Sequence, residues 1–407
     1  MREGLASLVT IVARMPQMHK PRRDFFIHTL GLFLSLRSRV NFLSLARHSH
    51  QYVESSFRLH FEQYIDFASM NQAYIQQHGS GHYVVAFDPS YLRKSGRSTP
   101  GVGKYWSGSA QTTLWGLEAG LLSVIDIDHH TAFHLDVVQT PARDERQRKG
   151  ITLLDHYAQA ILWSKSAVQA LSGYLAVDAY FAKKEFIERI LGQSSLHIIS
   201  RLRTDANLLY LYQGPKREGK GAPRKYDGKL AVDKPDLSRF ELSYQDEQIA
   251  IYSAIVYCKF LKRNIRLAYT QFLEEEGKVK SYKLFFSTDL NLPAWMIVKY
   301  YRARFQQEFL IRDAKQFTGL NDCQARSTSK LEFHWNTALT AINVAKVEHW
   351  LCLPTVQRQS FSMANVKTLH HNRLIIDRLF NILPENTELS KNHPEVIKLY
   401  QLGYIAA

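Results

Sequence analysis

Two segments, HYVVAFDPS (82–90) and GYLAVDAYF (173–181), run through consecutive apolar residues and stop at an aspartate, Asp88 in the first and Asp178 in the second. A strand that is apolar at every position, rather than at alternate ones, is covered on both faces, as in an α/β sheet. Strand ends in an open α/β sheet face a common crevice, so the pattern places two carboxylates where they can converge. Either Asp alone is weak evidence, because an acid after a strand is often a turn or helix-cap residue.

Texture along the rest of the chain organises around these two runs. At 407 residues the chain has room for two or three domains. Residues 1–78 read as a helical N-terminal DNA-binding domain, with Phe25, Phe26, Leu30, Leu32, Phe33 and Leu36 at helical spacing and a helix-turn-helix candidate in VNFLSLARHSHQYVESSFRLHFEQYI. Residues 109–140 predict two strands, with turn candidates at Glu118-Ala119-Gly120 and at Asp126 to Thr131. Helical patterns follow at 143–164 and in FAKKEFIERIL. Residues 195–283 carry short strand-like runs and read as a β-rich insertion between two parts of a core, 79–194 and 284–350. Asn291-Leu292-Pro293 opens one long predicted helix, AWMIVKYYRARFQQEFLIRDAKQF, and 351–407 reads as a helical C-terminal region.

Charge narrows the partners. Lys and Arg number 52 against 37 Asp and Glu, a net charge of +15, which favours a polyanion and nucleic acid above all. Residues 179–307 hold 23 Lys/Arg and 14 Asp/Glu, so most of the excess gathers there. Lys216, Arg217, Lys220, Arg224 and Lys225 lie in one Gly- and Pro-punctuated loop suited to a phosphate track, and Arg93, Lys94 and Arg97 follow Asp88 closely. The bland reading of such a loop is a solvated basic surface. Three cysteines without CxxC spacing speak against a disulfide scaffold or a structural zinc site. There is no apolar stretch of membrane-spanning length and no signal-peptide pattern, so a cytoplasmic setting is expected. HExxH, Walker A and GxGxxG patterns are absent, which leaves the hydrolase and nucleotide-binding classes built on them without support.

A third acid, Glu308, lies within the helix after Pro293. Tyr301, Arg304, Glu308 and Lys315 follow at spacings of three, four and seven, which puts them on one side of a continuous helix. Read plainly, Arg304 and Glu308 are an i, i+4 surface ion pair. Read with Asp88 and Asp178, Glu308 completes a set of oxygen ligands for a pair of hard cations, with phosphate-binding cations beside it.

The Tyr301-x2-Arg304-x3-Glu308-x6-Lys315 pattern resembles the Tyr/Arg/Glu/Lys signature of the IS4-type DDE transposases of bacterial insertion sequences. The resemblance covers roughly residues 80–350 and implies an α/β fold with an RNase H-like core. It implies that Asp88, Asp178 and Glu308 are a catalytic, metal-binding triad holding two Mg²⁺ ions, with Mn²⁺ as a substitute. It further implies that Tyr301, Arg304 and Lys315 contact DNA phosphates. The implied partner is double-stranded DNA, as transposon ends and as target, bound by a homodimer assembled on it in the bacterial nucleoid. Two other readings are a metal-dependent endonuclease on the same core and a non-catalytic DNA-binding regulator derived from a transposase.

Overall fold

The computed structural model describes residues 3–215, 222–274, 277–358, 360–383 and 390–404. Five helices come first: α1 (Glu3–Arg14), α2 (Lys20–Ser35), α3 (Phe42–Arg47), α4 (Glu54–His60) and α5 (Phe67–His78). Their starts are written in the sequence. Pro21 occupies the first turn of α2, and the Asn41 and Asp66 side chains accept from the backbone N–H groups that open α3 and α5. Strands β1 (Tyr83–Arg93), β2 (Gly103–Ser107), β3 (Thr112–Asp126) and β4 (Thr131–Gln139) follow. Helices α6 (Arg143–Arg148), α7 (Leu153–Trp163) and α8 (Lys165–Gln169) lead to β5 (Tyr174–Val177), α9 (Lys184–Gln193) and β6 (His197–Leu202). A run of strands comes next: β7 (Leu208–Leu211), β8 (Tyr226–Leu230), β9 (Glu241–Gln245), β10 (Ile249–Cys258), β11 (Arg263–Leu273) and β12 (Val279–Ser287). The chain closes with α10 (Ala294–Ala303), α11 (Gln306–Phe317), α12 (Thr328–Lys346), α13 (Met363–Ile382) and α14 (Pro394–Tyr400).

Among the described residues the twelve strands join one mixed sheet, in the order β2-β3-β1-β5-β6-β12-β11-β10-β7-β8, with β4 beside β3 and β9 beside β10. β1 and β3 are antiparallel, as are β3 and β4. β1, β5 and β6 are parallel neighbours, joined through the helices α6 to α9. The sheet continues without a break from β6 into the antiparallel strands β7 to β12, because β12 pairs with β6.

The covered faces carry the apolar runs of the sequence. Val84, Val85, Ala86 and Phe87 are buried in β1, and Leu175, Ala176 and Val177 are buried in β5. A single apolar core extends from Leu8 in α1 to Val366 in α13, so helices from both ends of the chain pack on the same core as the sheet. A bulge in the β3–β4 ladder between Leu122 and Ser123 is filled by buried polar groups rather than by pairing. The Asn71 side chain donates to the Leu135 carbonyl at 3.1 Å, and Asn343 both accepts from the His134 N–H and donates to its carbonyl at 2.8 Å.

Three local expectations differ from what forms. Glu118-Ala119-Gly120 is not a turn but lies inside β3, held by β1 on one side, with Ala119 and Gly120 paired to β4 on the other. The turn falls at Ile127–His130, where His130 has a φ of +49°. β1 does not stop at Asp88 but runs to Arg93, because β3 keeps pairing after β5 lets go at Phe87. Pro89, which lacks an N–H, is tolerated there because β1 has lost its second neighbour. The long helix after Pro293 is two helices, α10 and α11, joined at Arg304 and Phe305 by i→i+3 bonds from Gln307 N–H to Arg304 O and from Glu308 N–H to Phe305 O, both 3.0 Å.

Candidate active site

Strand register builds the first half of the site. Phe87 of β1 lies opposite Val177 of β5 in the parallel ladder, and the next residues are Asp88 and Asp178. Paired positions on neighbouring strands share a face and stand about 5 Å apart, so the two carboxylates are side by side at the point where β5 ends. Asp178 still has extended backbone (φ −68°, ψ 165°). Phe87 points to α7, with its ring 5.5 Å from that of Tyr157. Alternation along a strand sends Asp88 to the opposite face, toward α10 and α11.

Glu308 arrives from that face, in the first turn of α11. The turn is tethered to the sheet by Gln307, which is fully buried. Its amide donates to the Leu121 carbonyl at 2.9 Å and to the Ser123 hydroxyl at 3.1 Å. Leu121 is the register partner of Asp88 on β3, so this bond sets the height of Glu308 over the aspartates.

The signature cations and tyrosine surround the acids. The Tyr301 hydroxyl donates to Asp178 Oδ1 at 3.1 Å, and Arg304 Nη1 lies 3.9 Å from Asp88 Oδ2. The guanidinium carbon of Arg304 is 5.7 Å from the Tyr301 ring centre, and its Nε is buried with no hydrogen-bond partner. Lys315 Nζ donates to the Ser90 hydroxyl and the Tyr91 carbonyl, both at 2.9 Å, just beyond Asp88. The continuous stripe expected along one helix is therefore broken at Arg304, yet the break lets Tyr301 reach one aspartate and Arg304 the other.

Electrostatics mark the same place. Asp88 titrates at about 7 instead of 3.8, because burial disfavours its charge; Arg304 opposes the shift, and Asp178, Glu308 and Glu118 add to it. Asp178 and Glu308 thus both act on Asp88, although the oxygens of the three do not all approach within 4.8 Å of one another, a spacing reached among the described residues by Glu348, His349 and His370. Crowded carboxylates of this kind fit divalent cations, whose charge removes the repulsion. A stability consequence follows. Between pH 3.8 and about 7 the folded protein holds on Asp88 a proton that the unfolded chain releases, so metal-free stability falls as pH rises through that window. Asp88→Asn keeps the neutral state, so thermal melts without divalent ions are expected to show it more stable than the parent at pH 8 and equal to it near pH 4.

Other candidates are placed less centrally. Arg93 and Arg97 are exposed on the far end of β1 and the segment after it, and the Arg93 N–H donates to Asn321 Oδ1 at 3.2 Å. Lys94 Nζ is turned inward onto the Cys323 and Ala325 carbonyls at 2.6 and 3.0 Å. Arg224 pairs with Asp227 at 2.6 Å, Lys225 is exposed beside it, and Lys216, Arg217 and Lys220 lie outside the described residues. Asp126 is buried and accepts from the Ser80 and His129 N–H groups, a loop-fixing role. Two residues outside the expected set also matter here. Glu118, buried against the Tyr157 hydroxyl at 2.5 Å, helps to raise the pKa of Asp88, and Gln307 positions Glu308. Glu118 has one sequence signal, an acid inside an otherwise apolar run, and Gln307 has none.

No helix among the described residues is long and apolar enough to cross a membrane. No curated protein gives a significant match to the chain. The family model of the transposase DDE domain matches residues 79–344, from the residue after α5 through most of α12. That span contains every side chain of the site just described, and the β4-β3-β1-β5-β6 order agrees with the RNase H-like fold that such a domain implies. The chain belongs to the transposase DDE domain family.

Proposed function

We propose that this protein is an IS4-type transposase of a bacterial insertion sequence, which cuts DNA at the element's terminal inverted repeats and joins the freed ends to target DNA. The observation that supports the reading is the register that sets Asp88 beside Asp178, with Asp178 and Glu308 both acting on Asp88, which burial pushes up to about 7. Asp88, Asp178 and Glu308 would hold two Mg²⁺ ions, or Mn²⁺ in their place. When bound, such ions supply Lewis acidity at the scissile phosphate and help to activate the attacking oxygen.

The chain's own residues do the rest. Tyr301 fixes the rotamer of Asp178 through its hydroxyl, and Gln307 fixes the first turn of α11. Arg304, 3.9 Å from Asp88 Oδ2, would offer its guanidinium and its unpaired Nε to a DNA phosphate. Lys315 holds β1 at Ser90 and Tyr91 and adds positive charge behind the phosphate. Lys94 is assigned a structural role, and Arg93, Arg97, Arg224 and Lys225 line the path of the DNA. Water attacks the phosphodiester in line and leaves a 3′-hydroxyl, which then attacks target DNA. The helical segment 1–78 would read the repeats, the core would comprise 79–194 and 284–350 with β6 joined to it, 195–283 would clamp DNA, and 351–407 would support the assembly. Joining two ends calls for a homodimer assembled on DNA.

The test is incubation of the full chain with element-end duplexes and Mg²⁺, followed by mapping of the cut ends and by addition of a duplex with a preformed 3′-hydroxyl. Cut and joined products support transposition. Cutting without joining supports a metal-dependent endonuclease, and binding alone supports a regulator. End binding is expected to weaken steeply with salt, and Arg304→Ala to lower affinity for ends by roughly tenfold, the size of one charge-assisted phosphate contact. An unchanged affinity in a salt-titrated binding assay would return Arg304 to a purely internal role.

A further inference from the structure

A second cluster of metal-ligating side chains lies outside the transposase site, where α12 ends. The helix does not stop at Lys346 but widens into a π-helical turn, Val347–Leu351, closed by an i→i+5 bond from Cys352 N–H to Val347 O at 3.2 Å. Such turns are unfavourable and recur at functional sites. Here the turn carries Glu348 and His349 toward His370 of α13.

The donor atoms form a compact triangle. Glu348 Oε2 is 3.4 Å from His370 Nε2 and 3.8 Å from His349 Nε2, and the two Nε2 atoms are 3.1 Å apart. Ligands about 2.0–2.1 Å from a tetrahedral Zn²⁺ stand roughly 3.4 Å from one another, which is the mean edge of this triangle. Glu348 is buried, with its side chain 2% exposed. Its Oε1 accepts from the Leu5 N–H at 3.0 Å, whereas Oε2, the atom aimed at the imidazoles, has no hydrogen-bond partner. A buried carboxylate oxygen without a partner is costly unless a cation meets it. Among the described residues the basic side chains within ion-pair reach of Glu348 are these two histidines. The neighbouring His371 is turned away, with Nδ1 on the Ser35 carbonyl at 3.1 Å.

We propose that Glu348, His349 and His370 bind one transition-metal ion, Zn²⁺ by donor chemistry, which clamps α13 to the end of α12 and, through Glu348 and Leu5, to α1. Two imidazoles and one carboxylate suit zinc, whereas Mg²⁺ prefers an all-oxygen shell, so this site and the acids of the DDE domain select different ions. The fourth position is left to solvent.

The experiment uses the full chain stripped of metal, loaded with Zn²⁺, desalted and assayed for bound metal, with Co²⁺ absorption as a probe of tetrahedral nitrogen coordination. An Asp88→Asn, Asp178→Asn, Glu308→Gln background separates this site from the DDE acids. One zinc per chain is expected in that background, undisplaced by millimolar Mg²⁺ and lost in His349→Ala and in His370→Ala. Zinc is also expected to raise the melting temperature of the parent and not of His370→Gln, a milder change that guards against misfolding. No retained zinc, or equal retention in the histidine variants, overturns the proposal. Melts insensitive to both Zn²⁺ and EDTA assign the triangle instead to an ion pair with a protonated imidazole.

Discussion

Asp88→Asn is expected to remove cleavage at element ends, by on the order of 10³-fold or more, while DNA binding survives. The size follows from what the carboxylate does. It sits beside Asp178 by strand register and under Glu308, so it is the member of the set that both others repel. Replacing it by a neutral isostere removes one charge from the cation-binding group but removes no contact that the fold needs. Arg304 then loses its partner at 3.9 Å and gains freedom to meet phosphate, so affinity for ends should hold or rise. Asp178→Asn and Glu308→Gln are expected to behave alike in cleavage. They differ in one respect, because the Tyr301 hydroxyl can still donate to the amide oxygen at position 178. The measurement is a single-turnover cleavage assay with Mg²⁺, run beside a binding isotherm on the same duplex. Cleavage within tenfold of the parent for any of the three would sink that residue's assignment.

How far the site is legible without coordinates can be judged residue by residue. Asp88 and Asp178 stand out because each terminates a run with no polar residue, a pattern set by burial on both faces of the sheet. That these runs become neighbouring parallel strands is a further step, and it follows from the helical stretch between them, which a parallel connection requires. Glu308 was legible through its spacing from Tyr301, Arg304 and Lys315, although the helix meant to carry that spacing is broken. The break leaves no composition signal, since Arg304 and Phe305 are ordinary helix residues and the i→i+3 bonds answer to tertiary packing. Glu118 was misread because Glu-Ala-Gly resembles a turn. Its place inside β3 depends on pairing with β1 and on a hydrogen bond to Tyr157, 39 residues away. Lys94, which follows Asp88 in a basic run, looked like a phosphate ligand. Its ammonium instead caps two carbonyls some 230 residues downstream, a contact that no local pattern encodes.

Gln307→Leu is the variant that best separates position from chemistry. The parent side chain makes two hydrogen bonds to β3 within a fully buried setting and touches no acid of the triad. Leu fills a similar volume but leaves the Leu121 carbonyl and the Ser123 hydroxyl without this donor, at a cost of about 1–3 kcal/mol in stability. The first turn of α11 then loses its tie to the strand that carries the register partner of Asp88, and Glu308 shifts relative to the aspartates. A misplacement near 1 Å is enough for roughly a 10²-fold loss in rate. The expected result is a large fall in the single-turnover rate with end affinity close to the parent's, and a metal-concentration dependence displaced to higher Mg²⁺. Ser172→Ala supplies the control, since it removes a buried hydrogen bond to the Tyr83 carbonyl at the other end of β1. It should lower the melting temperature without moving the rate per folded molecule or the Mg²⁺ dependence. If Gln307→Leu loses stability yet cleaves at the parental rate and Mg²⁺ concentration, the placement of Glu308 does not depend on this tether, and the i→i+3 turn at Arg304 and Phe305 alone must hold it.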